Sequence, residues 1–378
     1  MTRITDSAEA RRGPLGVAVL EDLPDPHGRG VLVRATLDMP LGPGARQPMA
    51  TRRARSLQAT LQWLLDRGAR VTVVGDAGAQ DPEEEAQRFG HVRALVEALA
   101  PGVATADVSA AGGVSAEQPD FIDGLVASHD LFVNDSFQWS YLPLPSLVMP
   151  AQRLPSAVGR GVQADLETLL PLLTRPGRPF VAVLGGDRSA LRLHGLRGLV
   201  LRADTVLVGG AMALPLLQAI GKQAPGGTPP DFLAECRSVY GLARRVMHHV
   251  QLPEDLVWSG EEGAGEVAAP WARPAGEVVD IGPVTRLRFS EILEGAGAVL
   301  WAGALGRVEE ARFAEGTRAV ASALVGATGQ KVVGGDALVS LLDAEHLLPG
   351  EVSTVSATDS ALELLKNGDL AALLAMRS

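Results

Sequence analysis

The sequence predicts an α/β protein with parallel sheets in two domains, and three observations carry that expectation. Short apolar runs alternate with amphipathic segments through both halves of the chain, the pattern of strands covered by helices. The length, 378 residues, corresponds to two to three domains at about 150 residues each, of which two is the simpler division. The composition, 46% hydrophobic and 21% charged, supplies a core for each domain and excludes a mostly disordered chain. Aliphatic side chains and alanine must fill those cores, because only 4% of the residues are aromatic.

Val31-Leu32-Val33 reads as a buried strand, and residues 51–67 as a helix with Leu57, Leu61, Leu64 and Leu65 on one face. Val71-Thr72-Val73-Val74 is the next strand and residues 83–99 the next helix. Leu131-Phe132-Val133 is a strand ending in the polar pair Asn134-Asp135. Pro143, Pro145, Pro150 and Pro155 break regular structure and suit a crossover between domains, followed by a helix over 160–173. A second series opens with the fully apolar run Phe180–Leu184, closed by Gly185-Gly186, with a helix candidate after it. Val206-Leu207-Val208 is closed in the same way by Gly209-Gly210. Helices near 212–220 and over 230–249, 284–294, 312–326 and 360–367 alternate with strands at 256–258, 298–301 and 331–333. Ligands of such folds sit beyond the carboxyl ends of the strands. Here those ends are residues 36–38, 75–78, 134–135, 185–186, 209–210, 301–303 and 334–336.

Charge and residue counts exclude several classes of function. The net charge of −10 argues against a nucleic-acid partner, whose binder would carry a basic surplus. A single cysteine, Cys236, forms no internal disulfide and no zinc motif, and is expected to be a small core residue. Residues 1–16 are polar and lack a signal-peptide core. The uncharged stretches around 135–153 and 204–222 are interrupted by proline or glycine, so no membrane span is expected and a cytoplasmic location is. His248 and His249 fall on different faces of the helix expected over 230–249, which makes a joint metal site unsuitable. Trp301 is expected to pack at a strand end, and Glu83-Glu84-Glu85 to form a solvated first helical turn. Lysine occurs only at 222, 331 and 366, so arginine in a place suited to lysine carries little meaning.

Gly185-Gly186 and Gly209-Gly210 each lie between a strand and a helix. Such turns bring backbone N–H groups to a phosphate, or are simply tight βα turns. Walker-type and dinucleotide-binding glycine patterns are missing.

The string VLVRATLDMPL (31–41) resembles the opening strand of the phosphoglycerate kinase family. FVNDSF (132–137), RLPSAVG (153–159), FVAVLGGDR (180–188), VLVGGAMA (206–213), DIGPVT (280–285), VLWAGALGRVE (299–309), FAEGTRAVA (313–321) and VVGGD (332–336) are similar to that family in the same order. The resemblance runs from about residue 19 onward. It implies two doubly wound parallel-sheet domains joined by a helix. By that resemblance, 1–157 is an N-terminal domain facing 3-phosphoglycerate and 158–176 the joining helix. Residues 177–355 form a domain for Mg-ATP or Mg-ADP, and 356–378 return to the N-terminal domain.

The resemblance also implies site roles. Arg53 matches the arginine of the transferring phosphate, with Arg52 or Arg55 in its place if the register slips. Arg188 and Arg192 match two phosphate-contacting lysines, with a planar guanidinium in place of the ammonium. Gly185, Gly186, Gly209, Gly210, Gly334 and Gly335 match nucleotide-side turns, Glu309 the ribose carboxylate, and Asp336 the carboxylate near a nucleotide-bound magnesium. Asp336 also suits a helix N-cap. On the acidic-substrate side the family pattern is thin. Thr36, Asp38, Asp76 and Ala79 stand where the family carries acceptor-binding residues, its histidine and arginine among them, and further family arginines are missing. Asp38 and Asp76 place negative charge where an anion should bind, a repulsion of about 4 kcal/mol per pair at about 4 Å and an effective dielectric near 20. On the nucleotide side, Ala302, Ala304, Val333 and Ala337 replace family residues, and Ala357-Thr358-Asp359 replaces three glycines that let backbone N–H groups meet the transferring phosphate.

The expected function is therefore that of a degenerate phosphoglycerate kinase paralogue with weak or no activity. Two alternatives are an active phosphoglycerate kinase with substitute ligands and a non-catalytic nucleotide- or protein-binding regulator. Transfer to a different, less anionic acceptor is a further reading.

Overall fold

A computed structural model describes residues 13–37, 52–75, 89–90, 93–94, 96–108, 117–222, 227–260, 265–270, 272, 276–348 and 350–378. The chain divides into two compact units, Met1–Leu170 with Asp369–Ser378, and Pro171–Gly368.

The strands of the first unit are β1 (Gly30–Ala35), β2 (Arg70–Gly75), β3 (Ala104–Asp107), β4 (Leu131–Asp135) and β5 (Ser156–Val158). They pair in the order β3-β2-β1-β4-β5, all parallel. Helices α1 (Arg52–Leu65), α2 (Pro119–Ala127), α3 (Pro145–Arg153) and α4 (Arg160–Thr174) alternate with them. β1 and β4 are buried on both faces, which explains their unbroken apolar runs. Leu57, Leu61 and Leu64 of α1 pack with Val31, Val33, Val71 and Val73 beneath one face. Leu32, Val74, Ile122 and Phe132 form the core on the other face. The buried Arg34 of β1 is matched inside this unit. Its Nε donates to Ser146 Oγ at 2.9 Å, its Nη2 lies 3.6 Å from Glu117 Oε1, and Ser146 N and Oγ donate to the Glu117 carboxylate at 2.8 and 2.6 Å.

The Pro-rich segment is more regular than expected, because α3 occupies its middle. Pro145 stands at the helix start, where its missing N–H costs nothing, and Leu147 and Ala151 carry the helix into the core despite Pro150. Of the helix expected over 83–99, residues 83–88 lie outside the described residues, and 89–90, 93–94 and 96–99 are helical.

The second unit holds six parallel strands in the order β14-β13-β12-β6-β7-β8. These are β6 (Phe180–Leu184), β7 (Thr205–Val208), β8 (His249–Gln251), β12 (Ala298–Ala302), β13 (Gln330–Gly334) and β14 (Val352–Val355). Helices α5 (Ala190–Arg202), α6 (Ala213–Ala219), α7 (Pro230–Arg245), α8 (Pro283–Glu294), α9 (Glu315–Ala323), α10 (Asp336–Ala344) and α11 (Thr358–Asn367) cover the sheet. A separate antiparallel sheet, β10-β9-β11, joins β9 (Leu256–Ser259), β10 (Gly265–Ala268) and β11 (Val278–Ile281). The strand expected at 256–258 therefore lies outside the parallel sheet, its edges taken by β10 and β11.

The helix expected over 230–249 stops at Arg245. Met247 turns the chain at φ 59°, and His249 begins β8. The helix expected over 312–326 is α9 flanked by two 3₁₀ turns, Ala311–Phe313 and Leu324–Gly326. Residues 356–368, expected with the returning segment, lie in the second unit. The reason is close packing, since a Cβ on Gly195 of α5 would fall 2.7 Å from Leu362 of α11, and one on Gly198 would fall 2.5 Å from Lys366. The segment that belongs to the first unit is Asp369–Ser378, whose helix α12 (Ala371–Arg377) places Ala372 against Leu144 and Leu147. No helix among the described residues is long and apolar enough to cross a membrane.

Candidate nucleotide cleft

Four parallel strands of the second unit, β6, β7, β12 and β13, end beside one another. The turns after them form the floor of a cleft of about 360 Å³. That floor is backbone against backbone. A Cβ on Gly185 would fall 2.1 Å from the Ala304 carbonyl oxygen, and one on Gly210 would fall 2.7 Å from the Gly186 carbonyl oxygen. Gly186, Gly210, Gly303 and Gly335 have φ of 87°, 58°, 88° and 113°, a backbone region open chiefly to glycine. Gly186 N donates to Ala304 O at 2.8 Å and Gly303 N to Gly334 O at 3.0 Å, so the floor is held by its own hydrogen bonds.

Charged groups ring this floor. Arg192, Asp187, Asp280, Arg307, Glu309 and Asp336 line the cleft with Gly186, Gly210, Gly303 and Gly335. Ser189 caps α5 by accepting the N–H of Arg192 at 3.2 Å, which fixes the start of the helix bearing that arginine. The Arg192 guanidinium then lies over Gly186, where a Cβ would be 3.7 Å from Nη2. Asp336 is exposed at the first residue of α10, and Glu309 is exposed beyond β12. Arg188 is exposed next to the cleft residue Asp187 and is itself outside the lining. Gly185 and Gly209 are buried beneath the floor, and Gly334 ends β13 under Gly335.

Asp280 was not anticipated as part of this cleft. Its Oδ2 accepts the N–H of Gly316 at 2.7 Å and lies 3.3 Å from Arg286 Nη2, while Oδ1 accepts from Ile281 N at 2.8 Å. Burial pushes its carboxyl up to about 6 against these bonds. A charged residue inside the otherwise apolar run of β11 was the available signal. Asp187 and Arg307 were likewise passed over, because surface charges beside a turn carry no periodicity.

The acceptor-side residues lie in the first unit. Thr36 is buried beyond β1, and its Oγ1 is 2.8 Å from Ser136 Oγ. Asp38, Asp76 and Ala79 lie outside the described residues. Arg53 is half-buried in the first turn of α1, and its neighbour Arg52 lies 3.3 Å from the buried Asp165. Trp301 is fully buried with Nε1 donating to Gly303 O at 2.9 Å, so it pins the β12 turn as well as packing. His248 Nδ1 donates to Val200 O at 2.7 Å, and no group of three or more His, Cys, Asp or Glu among the described residues could hold a metal ion.

Comparison with known proteins agrees with this architecture. The family model described as phosphoglycerate kinase matches residues 109–367. The phosphoglycerate kinase of Moorella thermoacetica is 30% identical, covering 94% of this chain and 98% of its own length. That of Frankia casuarinae is 33% identical over 82% of this chain and 86% of its own. Among solved structures, the phosphoglycerate kinase of Coxiella burnetii superposes with a TM-score of 0.74 at 23% identity, covering 96% of this chain and 99% of its own. That of Pyrococcus horikoshii gives 0.75 at 21% identity, covering 95% and 98%.

Proposed function

The chain belongs to the phosphoglycerate kinase family, and we propose on that footing that it is a phosphotransferase of this type, moving a phosphoryl group between ATP and 3-phosphoglycerate with substitute ligands. The glycine-floored cleft carries the reading. A polyphosphate needs close backbone approach and a cation; the floor at Gly186, Gly210 and Gly335, which has no Cβ, gives the approach, and Arg192 gives the cation. A Cβ at any of the three glycines would intrude on that surface or strain its backbone. Magnesium fits as part of the nucleotide, since Asp336 is a single exposed carboxylate that would meet a phosphate-bound ion. When bound, the ion supplies charge neutralisation for the moving group.

The protein's own residues would position and neutralise. Arg192, over Gly186, would face the terminal phosphate. Arg188, exposed beside Asp187, would add charge. Glu309 would orient the ribose by accepting from its hydroxyls, and Arg53 of the first unit would stabilise the phosphoryl group in transfer. The cytoplasm is the proposed location.

A second reading, nucleotide binding with weak or no transfer, is favoured by one observation: Arg192 is already flanked by two carboxylates, Asp187 and Asp359. Steady-state turnover of ATP with 3-phosphoglycerate separates the two. A rate of about 1–10³ s⁻¹ that disappears in Arg53→Ala supports the kinase. Stabilisation by Mg-ADP with no turnover above that variant supports the second reading.

A further inference from the structure

Arg192 stands between two aspartates at one end of the cleft. Its Nε lies 3.5 Å from Asp187 Oδ1 and 3.7 Å from Asp359 Oδ1, and its Nη2 donates to Thr358 Oγ1 at 3.0 Å. Its Nη1 is buried without a hydrogen-bond partner among the described residues, and so is Asp359 Oδ1. At 3.7 Å the charges attract without a hydrogen bond, so each keeps unused bonding capacity.

Asp359 lies in the first turn of the ten-residue helix α11, where unpaired backbone N–H groups and the helix dipole favour an anion. One carboxylate thus takes both features of the structure suited to a terminal phosphate: the guanidinium and the helix N-terminus. The local charge is one cation against two anions. Burial and the nearby Asp187 raise the Asp359 carboxyl above its ordinary range, against the pull of Arg192, so this arrangement is under electrostatic tension.

Resting on the nucleotide reading of the cleft, we propose that Asp359 is an internal anion standing on Arg192 in place of a ligand's outermost phosphate, so that the cleft takes a nucleoside diphosphate and disfavours the triphosphate. A triphosphate brings one more phosphate toward Arg192 and must displace the carboxylate to reach it. A diphosphate ends one phosphate short and leaves the pair intact.

Isothermal titration of the full chain with Mg-ADP and Mg-ATP tests this, on the wild type, Asp359→Asn and Asp359→Glu. The expected result is ADP binding at least tenfold tighter than ATP in the wild type. Asp359→Asn should tighten ATP at least tenfold and ADP less than threefold, while Asp359→Glu keeps the wild-type preference within threefold. Equal binding of the two nucleotides by the wild type overturns the proposal and leaves the nucleotide cleft standing, and that result needs no variant to fold. A parallel change in both affinities with Asp359→Asn also overturns it, since the charge would then act on any anion. Binding of neither nucleotide by the wild type and both variants removes the nucleotide reading and this proposal together.

Discussion

Asp135 Oδ1 accepts the backbone N–H of Gly161 at 2.8 Å, so the last residue of β4 caps the first turn of α4. The same oxygen faces Val162 N at 3.4 Å, while Oδ2 is buried without a partner. A capping carboxylate with one unused oxygen is stabilising through one atom and costly through the other.

Burial is the largest influence on this carboxyl and pushes it from 3.8 up to about 6, against the pull of the Thr60 hydroxyl and then of the Gly161 and Val162 N–H groups. Between those values the folded protein binds more protons than the unfolded one, so this group's contribution falls as pH rises from about 4 to about 6 and stays low above. Asp135→Asn retains an oxygen for the two N–H groups and removes the charge. Its stability should exceed the wild type's by about 1–3 kcal/mol at pH 8 and match it near pH 4. Urea titrations at the two pH values provide the measurement, and a difference independent of pH counts against the assignment.

Gly185→Ala should damage the cleft from below. Its Cβ would meet the Ala304 carbonyl oxygen at 2.1 Å, and backbone on both sides leaves no flexible group to yield. A loss of about 1–3 kcal/mol or more is expected, with weaker nucleotide binding. Thermal unfolding with and without Mg-ADP reads both effects.

Glu117→Ala should be among the more disruptive changes in the first unit. It leaves Arg34 without its carboxylate and Ser146 without its acceptor, all three buried. Breaking one partner of a buried pair typically costs about 3–5 kcal/mol. Arg34→Met combined with Glu117→Leu should recover a large part of that loss. A double variant no more stable than Glu117→Ala would show that the pair is not the source of the cost.

Cys236 should be inert in the native protein. It is fully buried, and burial pushes its thiol up to about 11. A thiol reagent at pH 8 should react stoichiometrically in guanidinium and much more slowly, by about 10²-fold or more, without it. Comparable rates in both would place the thiol at the surface.

Most of the central strands were legible because parallel strands buried on both faces need continuous apolar runs, as in Phe180–Leu184 and 298–301. The short edge strands β3, β8 and β14 escaped notice. Exposed residues such as Ala104, His249 and Ser353 interrupt any such run. The glycine turns were legible as turns, and their convergence follows from the strand order β13-β12-β6-β7, which sequence spacing does not encode. The substitution of Asp359 for glycine was visible as an added negative charge. Its approach to Arg192, 167 positions earlier in sequence, required the packing of α11 on α5.

The placement of Asp369–Ser378 within the first unit has a consequence for synthesis on the ribosome. Translation delivers residues 171–368, the whole second unit, before the residues that complete the first. Ala372 and Ala375 cannot cover Leu147 and Ala151 until that late segment emerges. The nascent first unit must therefore wait with an apolar face open while its neighbour matures, and it is the natural client for a chaperone during that interval.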